Sequence, residues 1–194
     1  MSRRDEVLQA ALDLLDEVGL DALTTRRLAE RLGVQPGALY RHFDSKRALL
    51  NAMVEVVVGG GPLPQPAEES WDEQTRTIAI GARAALLSHR DGARLVVTYL
   101  TGPSAEPGVA QLSWERMLTI LRPAGLPDAG AIVVIDTIFA YVNGFTMEEQ
   151  ARDGFPQPAE QRAWRDKAFE MGLDLILSGV RAKLSETTAR VNSG

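Results

Sequence analysis

The chain has 194 residues, 45% hydrophobic and 24% charged, which suits one large domain or a small one joined to a medium one around a real core. Its formal charge of −5 would disfavour nucleic acid if evenly spread, but residues 24–47 hold six basic side chains (Arg26, Arg27, Arg31, Arg41, Lys46, Arg47) against two acidic ones (Glu30, Asp44). The absence of cysteine excludes disulfides and thiolate metal sites, no cofactor is expected, and the opening MSRRDEVLQAALDLL reads as an amphipathic helix and not as a signal peptide.

Over residues 4–18, Val7, Ala10, Ala11, Leu14, Leu15 and Val18 recur at helical spacing and stop at Gly19. Leu20 and Leu23 lie in the connection, placed to plug a core. Thr24 or Thr25 can cap a second helix that turns Leu28, Ala29 and Leu32 inward and ends at Gly33. Pro36 suits the first turn of a third helix, where its missing N–H costs little, and that helix is expected to reach about Phe43. Asp44 or Ser45 caps a fourth helix through Leu49, Leu50, Met53, Val54 and Val57.

The stretch GGGPLPQPAEES (59–70) carries three glycines and three prolines and reads as the loop between two units, a head at 1–46 and a body at 47–194. Helices are expected at about 71–88, 91–101, 108–122, 127–152 and 160–186, broken at Gly102-Pro103, Pro123 to Pro127 and Gly154 to Pro158, with a frayed tail after Ser185. Period-two alternation is nowhere sustained, so the fold class is all-α: a three-helix head joined by a fourth helix to a helical body. The longest apolar run, Ala129 to Gly144, is interrupted by Asp136 and Asn143, so no membrane is expected and the location is read as cytoplasmic.

The segment TTRRLAERLGVQPGALYRHF (24–43) places two short helices around a tight turn. Small Ala29 permits their close approach, and Gly33 permits the left-handed backbone the turn needs. In a helix-turn-helix the second helix enters the major groove while the first crosses the phosphate backbone. The DNA-facing segment would then comprise Gln35, Pro36, Gly37, Ala38, Tyr40, Arg41 and His42; Gln and Arg can bond adenine and guanine edges bidentately. Thr25, Arg26 and Lys46 suit phosphate anchoring. A helical protein-interaction or small-molecule-binding module would share the hairpin, and the basic island is what argues for DNA. Catalysis finds no support: the two histidines (His42, His89) lie in separate units, no nucleophile or metal motif is present, and Glu68-Glu69 and Glu148-Glu149 look solvated.

LTTRRLAERLGVQPGALYRHFDSKRALL resembles the reading head of the tetracycline repressor (TetR) family, including LYRHF, a following Lys and LL. ESW (69–71), ALLSHRDGAR (85–94) and the surroundings of Gly144 to Gln150 resemble the ligand domain of the tetracycline-repressor subgroup. The resemblance implies an all-helical homodimer whose two heads read a palindromic operator, with a small molecule in the body lowering DNA affinity. It also implies that this chain is no tetracycline sensor. Gly60, Ile78, Ala82, Val96 and Tyr99 stand where that subgroup's antibiotic pocket needs His, Asn, Phe, His and Thr, and only Glu148 falls on the acidic magnesium position. An apolar or aromatic effector is expected instead, in a pocket drawn from Trp71, Ile78, Val97, Tyr99, Trp114, Met117, Leu118, Phe139, Asn143 and Met147, all equally suited to ordinary core. Asn143, among aromatic neighbours, needs a hydrogen-bond partner. His89 is expected to cap a helix end or to bond Asp91.

The helices at about 127–152 and 160–184 are apolar on more than one side, as AIVVIDTIFAYV (131–142) shows. Pairing of two such helices per chain into an intersubunit four-helix bundle accounts for this, with Gly172 and Gly179 allowing close approach.

Overall fold

The computed structural model of the chain describes residues 2–59, 70–100 and 109–191, and only helices and turns occur among them. The head begins with α1 (Arg3–Val18), where Ser2 and Asp5 form a reciprocal capping box. α2 (Thr25–Leu32) and α3 (Pro36–Leu39) follow, and α4 (Lys46–Gly59) leads out of the head. Ser45 is the residue that starts α4: its hydroxyl accepts from the Ala48 N–H at 3.0 Å. The head's core buries Val7, Ala11, Leu15, Leu28 and Leu50, as the spacing predicts, together with Leu39 and Phe43, whereas Ala10, Val18, Leu20 and Leu32, also expected inward, are half-buried.

The body comprises α5 (Trp71–Leu87), α6 (Gly92–Leu100), α7 (Val109–Leu121), α8 (Asp128–Asp153) and α9 (Ala159–Val191). α4 ties the two units together, packing on α1 at one side and on α5, α6 and α7 at the other. The core continues without a break through Met53, Ile78, Leu95, Met117, Ile135, Ile138, Phe169 and Leu173. α8 is long and apolar enough to cross a membrane by length and composition. Its packing against α5, α6, α7 and α9 occupies part of that apolar surface instead.

Several expectations need correction. The third helix ends at Leu39, short of Phe43, because the backbone tightens: Arg41 N–H donates to Ala38 O (3.3 Å) and His42 N–H to Leu39 O (3.0 Å), which drops Phe43 into the core. The last helix continues past Ser185 to Val191. Of the stretch expected as a loop, Gly59 belongs to α4 and Ser70 is the N-cap of α5; residues 60–69, with Gly60 and the Glu68-Glu69 pair, lie outside the described residues.

Glu149 is not solvated. It is fully buried and ion-paired with Arg83, while its neighbour Glu148 is exposed and pairs with Arg152 at 3.0 Å. Gly172 is used inside the subunit: a Cβ there would overlap the Tyr141 hydroxyl and sit 2.7 Å from Tyr141 Cζ. Nothing lies within 4 Å of the same position at Gly179.

Candidate nucleic-acid interface

The geometry of the head follows from residues only a few places apart. The Thr24 hydroxyl caps α2 by accepting from the Arg27 N–H at 3.2 Å. Gly33 closes the helix in the left-handed region (φ 65°, ψ 30°), and the Val34 N–H returns to Ala29 O at 3.0 Å. Pro36 then opens α3 within its first turn. This turn throws Gln35, Pro36, Gly37, Tyr40 and Arg41 onto the surface, with Ala38 and His42 half-buried beside them. Tyr40 and Arg41 stand in the tightened turn after α3 and not on the helix itself.

The local charges are not all equally free. Arg26 is exposed but pairs with Glu30 at 3.0 Å, and Arg31 pairs with Glu17 at 2.7 Å. Arg27 donates to Ala22 O at 3.3 Å. Arg41 and Lys46 have no carboxylate partner among the described residues, so their charge is directed outward. Thr25 is half-buried beside the cap. Arg4 was not evident as a site residue in the sequence: its guanidinium stacks on the Phe43 ring at 5.0 Å, which places a further cation beside the end of the reading segment. A basic residue in the first turn of α1 was the visible signal, and its partner lay 39 positions away.

The head is also fastened to the body away from α4. The turn after α5 meets the C-terminal end of α1: Asp16 accepts from the Arg90 N–H at 2.8 Å and lies 3.0 Å from His89 Nδ1. Of the two roles expected for His89, a helix-end cap or a bond to Asp91, the second is not made: its Nδ1 faces Asp16, and Asp91 accepts from the Leu20 N–H at 2.8 Å. Arg90 donates to Glu17 O at 2.7 Å, and Arg94 binds Asp21 through both guanidinium nitrogens.

In the body, Arg83 on α5 donates to both oxygens of Glu149 on α8 (3.0 and 2.7 Å) and to Asp166 on α9 (2.6 Å). Burial works against the Arg83 charge, but the hydrogen bonds to Glu149 and Asp166 outweigh it and raise the guanidinium above its ordinary range. Of the expected pocket residues, Ile78 and Met117 are core; Trp71, Val97, Tyr99, Trp114, Leu118, Phe139 and Asn143 are half-buried; Met147 lies on the outer face of α8. The Asn143 side chain makes no hydrogen bond among the described residues. No group of three or more His, Cys, Asp or Glu among the described residues could hold a metal ion.

A short capped helix, a left-handed glycine turn and an exposed second helix followed closely by the cations Arg41 and Lys46 define a helix-turn-helix DNA-binding protein. The "Bacterial regulatory proteins, tetR family" model matches residues 7–53, and the "Tetracyclin repressor-like, C-terminal domain" model matches residues 63–165. The chain is 38% identical over 197 residues to the class A tetracycline repressor protein from transposon 1721 of Escherichia coli, covering 90% of this chain and 88% of that relative. Its fold resembles BioQ bound to its natural double-stranded DNA operator (TM-score 0.77, 34% identity, 94% of this chain and 99% of that one). It equally resembles a TetR variant from Acinetobacter baumannii AYE in complex with minocycline (TM-score 0.77, 37% identity, 95% and 98%). The chain belongs to the TetR family and is a DNA-binding transcriptional regulator.

Proposed function

We propose that the chain is a repressor that binds a palindromic operator as a homodimer and is released by an apolar or aromatic effector. Residues 1–46 act as the reading head and 47–194 as the sensing and pairing body, working in the compartment that holds the DNA. Gln35, Pro36, Gly37, Ala38, Tyr40, Arg41 and His42 face the major groove, and Thr25, Arg26 and Lys46 anchor phosphates. The observation that carries this reading is the exposed segment after the Gly33 turn, where Arg41 and Lys46 have no carboxylate partner among the described residues. Arg26 can join them, because an ion pair this exposed is readily exchanged for a phosphate.

Pairing is assigned to α8 and α9. Val133 on α8 and Met171 and Leu175 on α9 are 64%, 66% and 73% exposed, too much apolar surface on long helices to stay in water. Two heads on successive turns of the duplex then multiply the few bases each one reads. The effector is assigned to the half-buried side chains between α5, α6, α7 and α8, with Tyr99, Trp114, Phe139 and Asn143 as candidate contacts. The donor set at Ile78, Ala82, Val96 and Tyr99 does not fit a magnesium chelate. Such a ligand releases DNA only in so far as it binds the non-DNA state better.

Sequencing of genomic fragments retained by the purified protein at moderate salt tests the reading. One or a few palindromic sites are expected, with base preference relaxed by Arg41→Ala. Unchanged affinity and preference in Arg41→Ala would refute this placement of the reading segment.

A further inference from the structure

Gln150, near the end of α8, spends its whole amide on the turn between α5 and α6. Its Oε1 accepts from the Ala93 N–H at 3.1 Å, and its Nε2 donates to Leu86 O at 3.1 Å and His89 O at 2.8 Å. These groups are 57 to 64 residues away in sequence, so the bonds fix the turn to α8 and not merely to itself. The other side of the same turn grips the head, through Asp16 to His89 and Arg90 and through Asp91 to the Leu20 N–H.

The turn is built tightly for this placement. A Cβ at Gly92 would run into the Leu86 carbonyl, and one at Gly19 would stand 3.0 Å from Asp91 Oδ2. Asp91 itself holds a left-handed backbone (φ 55°), which a residue other than glycine adopts at a cost. One position upstream of Gln150, Glu149 locks α8 to α5 through Arg83, and Arg83 also reaches α9 through Asp166.

We infer that Gln150 is a positioning residue for operator reading: it holds the 86–93 turn on α8, and the turn holds the end of α1, so α8 sets the pitch of the head independently of the covalent route through α4. In a dimer paired through α8 and α9, head spacing and helix pairing then become one mechanical variable. This rests on the homodimeric, operator-binding reading above.

The test uses the whole chain, which has no cysteine of its own. Gln9→Cys, on the exposed face of α1, gives one spin label per head, and pulsed electron paramagnetic resonance reads the distance between heads in the free dimer. Operators with varied spacers between half-sites, selected with the wild type, supply the second readout. Gln150→Ala is expected to broaden the inter-head distances, to flatten the spacer preference, and to bind the best operator about tenfold more weakly as three hydrogen bonds from the side-chain amide to the backbone of the turn are lost. Gln150→Glu keeps an acceptor for Ala93 but loses both donors, and is expected to follow Gln150→Ala. Asp16→Ala opens the clasp from the head side and should give the same broadening, with the double variant no worse than either single one.

Arg152→Ala, one helical turn from Glu148 and outside the clasp, should leave both readouts as in the wild type. Should Gln150→Ala fail to fold, Asp16→Ala decides alone. A lowered melting temperature with unchanged distance distribution and spacer preference would overturn the proposal, since it would leave Gln150 with packing alone. A wild type that is monomeric or enriches no sequence overturns the dimer or operator reading, and the positioning role with it.

Discussion

Replacing Glu149 by Gln should destabilise the chain out of proportion to the size of the change. The Glu149 side chain is 0% exposed and Arg83 is 6% exposed, so neither charge is compensated by water. The guanidinium lies over the rings of Phe169 and Phe145 at 5.1 and 5.7 Å, which further closes the site. Removing one partner of a buried pair costs about 3–5 kcal/mol, because the remaining charge is left uncompensated. Asp166 still reaches Arg83 at 2.6 Å but is half in solvent, and the Gln amide nearly fills the space, so Glu149→Gln belongs at the low end, about 3 kcal/mol. For a chain of this length that is a fall of roughly 6–12 °C in Tm. Urea unfolding followed by circular dichroism, at one fixed protein concentration because pairing would couple to folding, measures it. Arg152→Ala, which removes a 3.0 Å pair between groups 65% and 70% exposed, should cost under about 0.5 kcal/mol. A Glu149→Gln cost no greater than that of Arg152→Ala would refute the reasoning, because burial would then not be what gives the Arg83 pair its weight.

Lys46→Ala should weaken all duplexes alike and lower the salt slope of binding by about one, and Arg4→Gln should do the same if the Phe43 stack aims Arg4 at a phosphate; anisotropy titrations on a mixed-sequence duplex across salt measure both. Leu175→Glu should convert dimer to monomer in sedimentation equilibrium while keeping the helical spectrum, since the residue is 73% exposed within one chain. Gly172→Ala should lower stability by about 1–3 kcal/mol as it displaces Tyr141 from its bond to Phe169 O, measured by urea unfolding. Gly179→Ala meets nothing within 4 Å and should gain up to about 1 kcal/mol of helix propensity; a loss there would place a second copy against α9. The Ser70 hydroxyl, and then the Arg181 guanidinium working against partial burial, hold the Asp72 carboxyl at about 2, below its ordinary 3.8. A depressed carboxyl contributes stability above pH 3.8 that is lost as pH falls toward about 2, so Asp72→Asn should flatten that part of an acid unfolding curve.

What the sequence could show depended on how far apart the interacting residues lie. The Thr24 cap, the Gly33 turn, Pro36 at the start of α3 and the Ser45 start of α4 are local chemistry readable as letter patterns, the two caps to within one of two adjacent residues. The length of α3 was not, because its end depends on Phe43 being drawn into a core formed by distant residues. Glu149 looked solvated for the same reason: beside Glu148 it is one of two acids near a helix end, and only Arg83, 66 residues upstream, makes it buried. For His89 the sequence offers only near neighbours, a helix end or Asp91, whereas its ring faces Asp16, 73 residues away. The outward apolar residues of α8 and α9 were legible as an excess, since helices with two packed faces lose the single polar stripe that marks a surface helix. Gly172 belonged to that pattern by spacing, but its space is taken by Tyr141 of the same chain, which spacing alone does not reveal.

The distribution of strong and weak contacts indicates where an effector would act. The bonds between head and body are of the kind a small molecule can redistribute: Arg94–Asp21 is largely exposed, with Asp21 81% accessible, and Asp16 and His89 are partly so. The Arg83–Glu149 pair is of the opposite kind, and breaking it would consume most of the roughly 5.5 kcal/mol of differential affinity that a full switch requires. If the proposed effector enters between α5, α6, α7 and α8, its cheaper route leaves the Arg83 pair as a fixed point and acts on the bonds between the turn and α1. Gln150 is one residue from that fixed point and keeps the 86–93 turn in place, so the change reaches the head where this turn meets α1, through the exposed Arg94–Asp21 pair and the half-buried Asp16–His89 contact. A switch built on this division needs no rupture in its core, and it predicts that effector binding leaves the Arg83–Glu149 geometry unchanged while the separation between α1 and the 88–94 turn alters.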